Sequence, residues 1–141
     1  MGVGAHLARL LVVGDVLALS GDLGAGKTTF VQGLARGLGI TAAVTSPTFV
    51  LINRYGTPDG RALQHADCYR LEHAPLEMWD AGLGDLMAGD DLVVIEWADR
   101  LPGLLPPEHL AIHFEYLDEK RRRLTFQARG ARYAALLDAL S

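Results

Sequence analysis

The chain has 141 residues, 50% hydrophobic and 21% charged, with a formal net charge of −4. That is material for one domain with one core, and it excludes a low-complexity chain, a repeat array and a surface that attracts a nucleic-acid backbone by net charge. No apolar run approaches the roughly 18 residues a membrane span needs. The N-terminus lacks a signal peptide's basic start and cleavage site, and the single cysteine, Cys68, cannot close an internal disulfide. A cytoplasmic protein without a membrane partner is expected.

In chain order, residues 3 to 13 read as the end of an amphipathic helix and Val16 to Ser20 as a buried strand. Lys27 to Leu38 has helical spacing, with Phe30, Val31, Leu34, Ala35 and Leu38 on one side and Gly39 as the C-terminal stop. Phe49 to Tyr55 and Arg61 to Ala66 are strand-like runs on either side of the turn cluster Gly56 to Gly60, which makes a hairpin. A short helix is predicted after Pro75, and Gly89-Asp90-Asp91 breaks the chain before the apolar strand Leu92 to Ile95. Past the prolines at 102, 106 and 107, Leu110 to Tyr116 and Leu124 to Ala128 form a second hairpin, closed by a helix from Ala131. Apolar strands followed by helices predict parallel pairing in the middle, and the hairpins add antiparallel strands beside it. The expected fold is a single P-loop NTPase-like α/β domain over residues 1–141, with a mixed parallel/antiparallel sheet flanked by helices.

The stretch Gly21-Asp22-Leu23-Gly24-Ala25-Gly26-Lys27-Thr28 fits G-x-x-x-x-G-K-[ST] at every position, and Thr29 follows it. Glycines let consecutive backbone amides turn into one concave nest, and the helix behind adds the positive end of its dipole. Lys27, read here as an exposed loop lysine, reaches the β- and γ-phosphates, and the Thr28 hydroxyl ligates Mg²⁺. A second acidic group is needed on the metal side, and Leu92-Val93-Val94-Ile95-Glu96 supplies one at the end of an apolar strand. Asp67, in His65-Ala66-Asp67, is a further acidic candidate, and either it or Glu96 polarises the attacking water. His65 lies two residues away on the same strand face. With no third metal ligand near it in sequence, it reads as an ordinary strand histidine.

Four segments in order, GDLGAGKTTFVQGLARGLG, VTSPTFVLINRY, HADCYRL and VVIEWADRLPGLLP, resemble the TsaE (YjeE) family from about Gly14 to Tyr133. The SPTF and EW elements are far more specific than the glycine-rich loop alone. These are small P-loop ATPases required for threonylcarbamoyl modification of adenosine 37 in bacterial tRNA. The resemblance implies ATP or ADP and Mg²⁺ as cofactors, Gly21 to Thr28 as phosphate loop, Glu96 as metal-side carboxylate and Asp67 near the nucleotide. It implies a switch-like segment at Thr45, Ser46 and Thr48, and nucleotide contacts from Asp99 and from Arg121 or Arg123. Trp97, just past a strand's end beside this site, reads from its position as a partner or nucleotide-edge residue in preference to a core residue. The implied partners are TsaD and TsaB, with TsaC supplying the activated intermediate and tRNA reached through the complex. Family members usually begin with an extra strand and a longer first helix, so a shortened N-terminus is expected. Trp79 stands where the family pattern leads one to expect a polar residue.

Three functional classes fit these residues: a slow, partner-stimulated ATPase of tRNA modification, a small-molecule kinase, and a nucleotide-sensing scaffold with negligible hydrolysis. A kinase commonly carries a basic lid, whereas the span from Asp67 to Asp91 has Arg70 as its one Lys or Arg and is otherwise acidic in its charges.

Overall fold

A computed structural model describes residues 2–21, 26–42, 44, 52–67, 89, 91–96, 98 and 105–140. The described elements are α1 (Gly2–Ala8), β1 (Val16–Gly21), α2 (Lys27–Gly37), β2 (Ile52–Gly56), β3 (Ala62–Asp67), β4 (Leu92–Glu96), β5 (His109–Asp118), β6 (Arg121–Arg129) and α3 (Ala131–Leu140). The strands form one six-stranded sheet in the order β2-β3-β4-β1-β5-β6. β1 pairs in parallel with β4 and with β5, and β3 with β4, while β2–β3 and β5–β6 are antiparallel hairpins. This is the mixed α/β sheet expected from the sequence.

Strand composition follows position in that order. β4 is buried along its whole length and β1 over its first four residues, as continuous apolar strands in the middle of a parallel sheet are. β6 alternates exposed Arg123, Thr125, Gln127 and Arg129 with half-buried Leu124, Phe126 and Ala128, the period-two pattern of an edge strand covered on one face. Register places Leu17, Leu19, Leu63, Leu92, Val94, Leu110, Ile112 and Phe114 on the same face of the sheet. They form one core with Leu7 of α1 and Phe30, Val31 and Leu34 of α2. Within it the Phe30 and Phe114 rings meet edge to face, 5.5 Å between centroids.

α2 ends where its sequence says it should. Gly39, at φ +84°, sends its N–H to the Arg36 carbonyl, and Ile40 sends its own to Ala35, both at 3.0 Å. That reciprocal pair is a Schellman stop, which a residue with a Cβ enters poorly. α1 is shorter than the expected 3–13. Beyond Ala8 the amides of Leu10 and Leu11 bond three residues back, and Val12 and Val13 are each half exposed, outside the core cluster of the described residues. The chain then turns through the Asp15 side chain, which accepts the Val12 N–H at 2.8 Å.

α3 fastens the start of β1 to the rest of the domain. The Arg132 guanidinium donates to both oxygens of buried Asp15, at 3.2 and 2.7 Å, and to the Leu10 carbonyl at 2.9 Å. The Tyr133 hydroxyl accepts the Val16 N–H at 2.9 Å. Burial raises the Tyr133 pKa above its ordinary 10.0. Its contribution to stability is therefore complete below pH 10.0 and is lost as pH rises through the raised folded-state value. Tyr133→Phe strands the Val16 donor and should cost about 1–3 kcal/mol at pH 7 in urea unfolding. The deficit relative to wild type should narrow above pH 10, and a deficit that widens there would contradict this account of the phenol.

Candidate functional site

β1, β3 and β4 run in parallel and end at one edge of the sheet, where open α/β sheets bind their ligands. Leu19 of β1 and Asp67 of β3 are both register partners of Glu96, and Gly21 is the register partner of Phe114 on β5. α2 starts over this edge, so the two ends of the phosphate-loop pattern, Gly21 and Gly26-Lys27-Thr28, meet both candidate carboxylates there. Gly21 has φ +121°, and a Cβ at that position would fall 2.0 Å from the Phe114 carbonyl oxygen. Only glycine lets β1 stay paired with β5 while the chain turns away. Gly26 lies in the left-handed region at φ 94° and opens α2 without a side-chain cap, and the first helical bond runs from the Phe30 N–H to its carbonyl.

Lys27 corrects an expectation. It is the first residue of α2, not an exposed loop residue, and only 5% of it is accessible. Its ammonium donates to the Gly21 carbonyl at 3.1 Å, so the side chain folds back across the loop's ends. Next to it, the Thr28 hydroxyl donates to Glu96 Oε1 at 3.2 Å. Glu96 is buried, and its Oε2 lies 2.5 Å from Nε2 of His65, itself fully buried on β3. Asp67 shares the Glu96 face and is half-buried. Thr29 is in the first turn of α2 and exposed.

Arg121 and Arg123 are not drawn into this cluster. Phe114 lies level with Gly21, whereas Arg121 is opposite Asp118, four residues further out on the β5–β6 hairpin. Arg121 is exposed and its Nε donates to Asp118 at 2.7 Å, a contact that holds the Asp118 carboxyl below its usual range. Arg123 lies 3.8 Å from Glu115. Asp22, Leu23, Gly24, Ala25, Thr45, Ser46, Thr48, Trp97 and Asp99, and also Trp79, lie outside the described residues.

The donors at this edge are a hydroxyl and carboxylates, hard oxygen ligands of the kind Mg²⁺ takes. Among the described residues no three His, Cys, Asp or Glu side chains form a metal cage. A Mg²⁺ ion commonly binds through one or two carboxylates plus substrate phosphates, and Thr28 with Glu96 fits that pattern. No helix among the described residues is long and apolar enough to cross a membrane.

The sequence reading missed the His65–Glu96 contact. The His-x-Asp spacing put His65 and Asp67 on one strand face, but which β4 residue comes beside them is set by the β3–β4 register. The Asp15–Arg132 pair was missed for a similar reason, since its members are 117 residues apart.

Comparison with known proteins gives the site its context. The family model described as threonylcarbamoyl adenosine biosynthesis protein TsaE matches residues 1–124. The chain belongs to the TsaE family. The Bacillus subtilis protein named tRNA threonylcarbamoyladenosine biosynthesis protein TsaE is 46% identical over 129 residues, 91% of this chain and 78% of that protein. The Streptomyces coelicolor protein of the same name is 39% identical over 137 residues, 94% of this chain and 92% of that one. Among solved structures, Bacillus subtilis YdiB superposes with a TM-score of 0.82 at 38% identity, covering 99% of this chain and 84% of YdiB. The TsaE family match thus spans β1, α2, β3 and β4, the elements that build the site, and ends within β6 before α3.

Burial of Lys27 changes what its removal should do. An exposed loop lysine would leave stability untouched. Lys27→Ala deletes a buried stem and the donor on the Gly21 carbonyl, and should lower unfolding free energy by about 1–3 kcal/mol. Chemical denaturation without nucleotide reads this directly, and an unchanged midpoint would place the side chain in solvent.

Proposed function

We propose that this chain is the ATP-binding and ATP-hydrolysing component of tRNA threonylcarbamoyladenosine biosynthesis, acting in the cytoplasm on the TsaB–TsaD transferase complex. tRNA is reached through that complex. The observation that carries the reading is the Thr28 hydroxyl 3.2 Å from the Glu96 carboxylate, beside Gly21 and Lys27 at the open edge of the parallel strands. TsaE family membership supplies the process, and the edge geometry supplies the chemistry.

In this reading Gly21 to Thr28 surround the β- and γ-phosphates, with Thr29 on the exposed side of the same turn. Lys27 leaves the Gly21 carbonyl for a phosphate oxygen, exchanging a neutral acceptor for a charged one, which strengthens its hydrogen bond. Thr28 and Glu96 would hold Mg²⁺, which when bound neutralises charge on the β- and γ-phosphates. Asp67, the more accessible of the two carboxylates, is assigned to orient the attacking water. Asp99 is assigned to the outer end of the nucleotide, and Arg121 would join it there only by leaving Asp118. Thr45, Ser46 and Thr48 are assigned a switch role toward the γ-phosphate, and Trp97 a role in partner contact.

Arg121 and Arg123 rest against carboxylates on the hairpin, so the isolated chain is expected to hydrolyse ATP slowly and to speed up with TsaB and TsaD. Phosphate release measured alone and with the two partners tests this. A small-molecule kinase would instead transfer the phosphoryl group to an added acceptor, and a sensing scaffold would release no phosphate with partners present. Glu96→Gln keeps the side-chain volume and removes the charge. Partner-stimulated, Mg²⁺-dependent phosphate release should fall by about 100-fold or more while ATP binding persists. Full turnover in that variant would remove Glu96 from the mechanism.

A further inference from the structure

We propose that His65 is a positioning residue for the Glu96 carboxylate, holding one oxygen so that the other stays turned to Thr28. The inference rests on the metal–nucleotide reading of the site and adds to it a residue that does not itself reach the nucleotide.

His65 is 0% exposed and is the register partner of Val94, one same-face step short of Glu96 along β4. On its side of the sheet it is flanked by buried Leu63, Leu92 and Val94, by Asn53 of β2 opposite it and by Asp67 further along β3. At 0% exposure its ring is costly to keep there unless its hydrogen bond is made. That bond is to Glu96. Nε2 lies 2.5 Å from Oε2, while Nδ1 meets no hydrogen-bond partner among the described residues. The ring hydrogen therefore belongs on Nε2, where an acceptor waits, because a hydrogen on Nδ1 would have none. A carboxylate held by two fixed donors, His65 N–H on Oε2 and Thr28 O–H 3.2 Å from Oε1, cannot rotate about its terminal bond without breaking both. Its orientation at the metal position is thus set from beneath, by β3, before any ligand arrives.

Partners of this kind typically change metal affinity by about 10- to 100-fold when removed. The test is calorimetric titration of ADP into the full chain with and without Mg²⁺, together with thermal melts, for wild type, His65→Leu and His65→Gln. In His65→Leu the Mg²⁺-dependent gain in ADP affinity should fall by about 10- to 100-fold, with metal-free affinity held within about twofold. His65→Gln, whose amide nitrogen can still donate, should recover most of the gain. His65→Leu with the full Mg²⁺-dependent gain overturns the proposal. So does an equal loss of metal-free and Mg²⁺-supported affinity in both variants, the mark of a merely structural histidine.

Should His65→Leu fail to fold, His65→Asn, too short to reach Glu96, enters a double-mutant cycle with Glu96→Gln. A positioning role predicts that His65→Asn takes nothing further from the Mg²⁺-dependent gain once Glu96 is glutamine, and additive losses would refute it. Wild-type protein that binds ADP equally with and without Mg²⁺ rejects the metal reading of the site and this inference with it. A normal wild type beside an unaffected His65→Leu rejects this inference alone.

Discussion

A carboxylate that is 2% exposed is the constraint around which this domain is arranged. Removing Glu96 from water is tolerable only where donors meet it, and no backbone amide of its own strand can turn back to do so. One donor comes from the first turn of α2 and the other from the middle of β3. For both to arrive, β3 must pair with β4 in the register that sets Asp67 beside Glu96, and α2 must begin over the same strand end. The apolar residues beneath it enforce both conditions. Leu63, Leu92 and Val94 hold the two strands to one core, and Phe30, Val31 and Leu34 hold α2 to it. The polar cluster therefore inherits its geometry from the packing below.

Much of this was legible in the residues, and the boundary falls at a definite physical point. Local patterns were readable: the continuous apolar runs of β1 and β4, the hairpin turn at Gly56 to Gly60, the Gly39 stop, and the glycine-lysine-threonine pattern that ends on α2. What could not be read depends on distance along the chain. His65 and Glu96 are 31 residues apart, and nothing in either segment states that their strands are neighbours in that register. Lys27 was taken as exposed because a glycine-rich loop precedes it, yet its position as the first residue of α2 folds its stem inward. The end of α1 was overextended because Val12 and Val13 continue the apolar pattern, although both are half exposed beyond the helix. The arginines at 121 and 123 were ranked by a resemblance that carries no information about how far the hairpin projects.

β1 is secured twice, by different chemistry at its two ends. At its start, Asp15 and Val16 are tied to Arg132 and Tyr133 of α3, a helix contributed by the last residues of the described chain. At its end, Gly21 lies against the Phe114 main chain and its carbonyl receives the Lys27 ammonium. The first tie is permanent architecture. The second involves a side chain that also has a phosphate to serve, so the strand can hold its place while the contact at its tip is exchanged.

The outermost strand of the sheet has a consequence of its own. Among the described residues β6 is the last strand of the sheet, and one side of its backbone, a row of amides and carbonyls, is a template for a further strand. Arg121, Arg122, Arg123 and Arg129 all stand exposed along it. A second copy paired antiparallel along the whole of this nine-residue strand would set Arg121 opposite Arg129 at both ends, charge against charge. Like-charge contact at the two ends thus blunts self-templating along this rim.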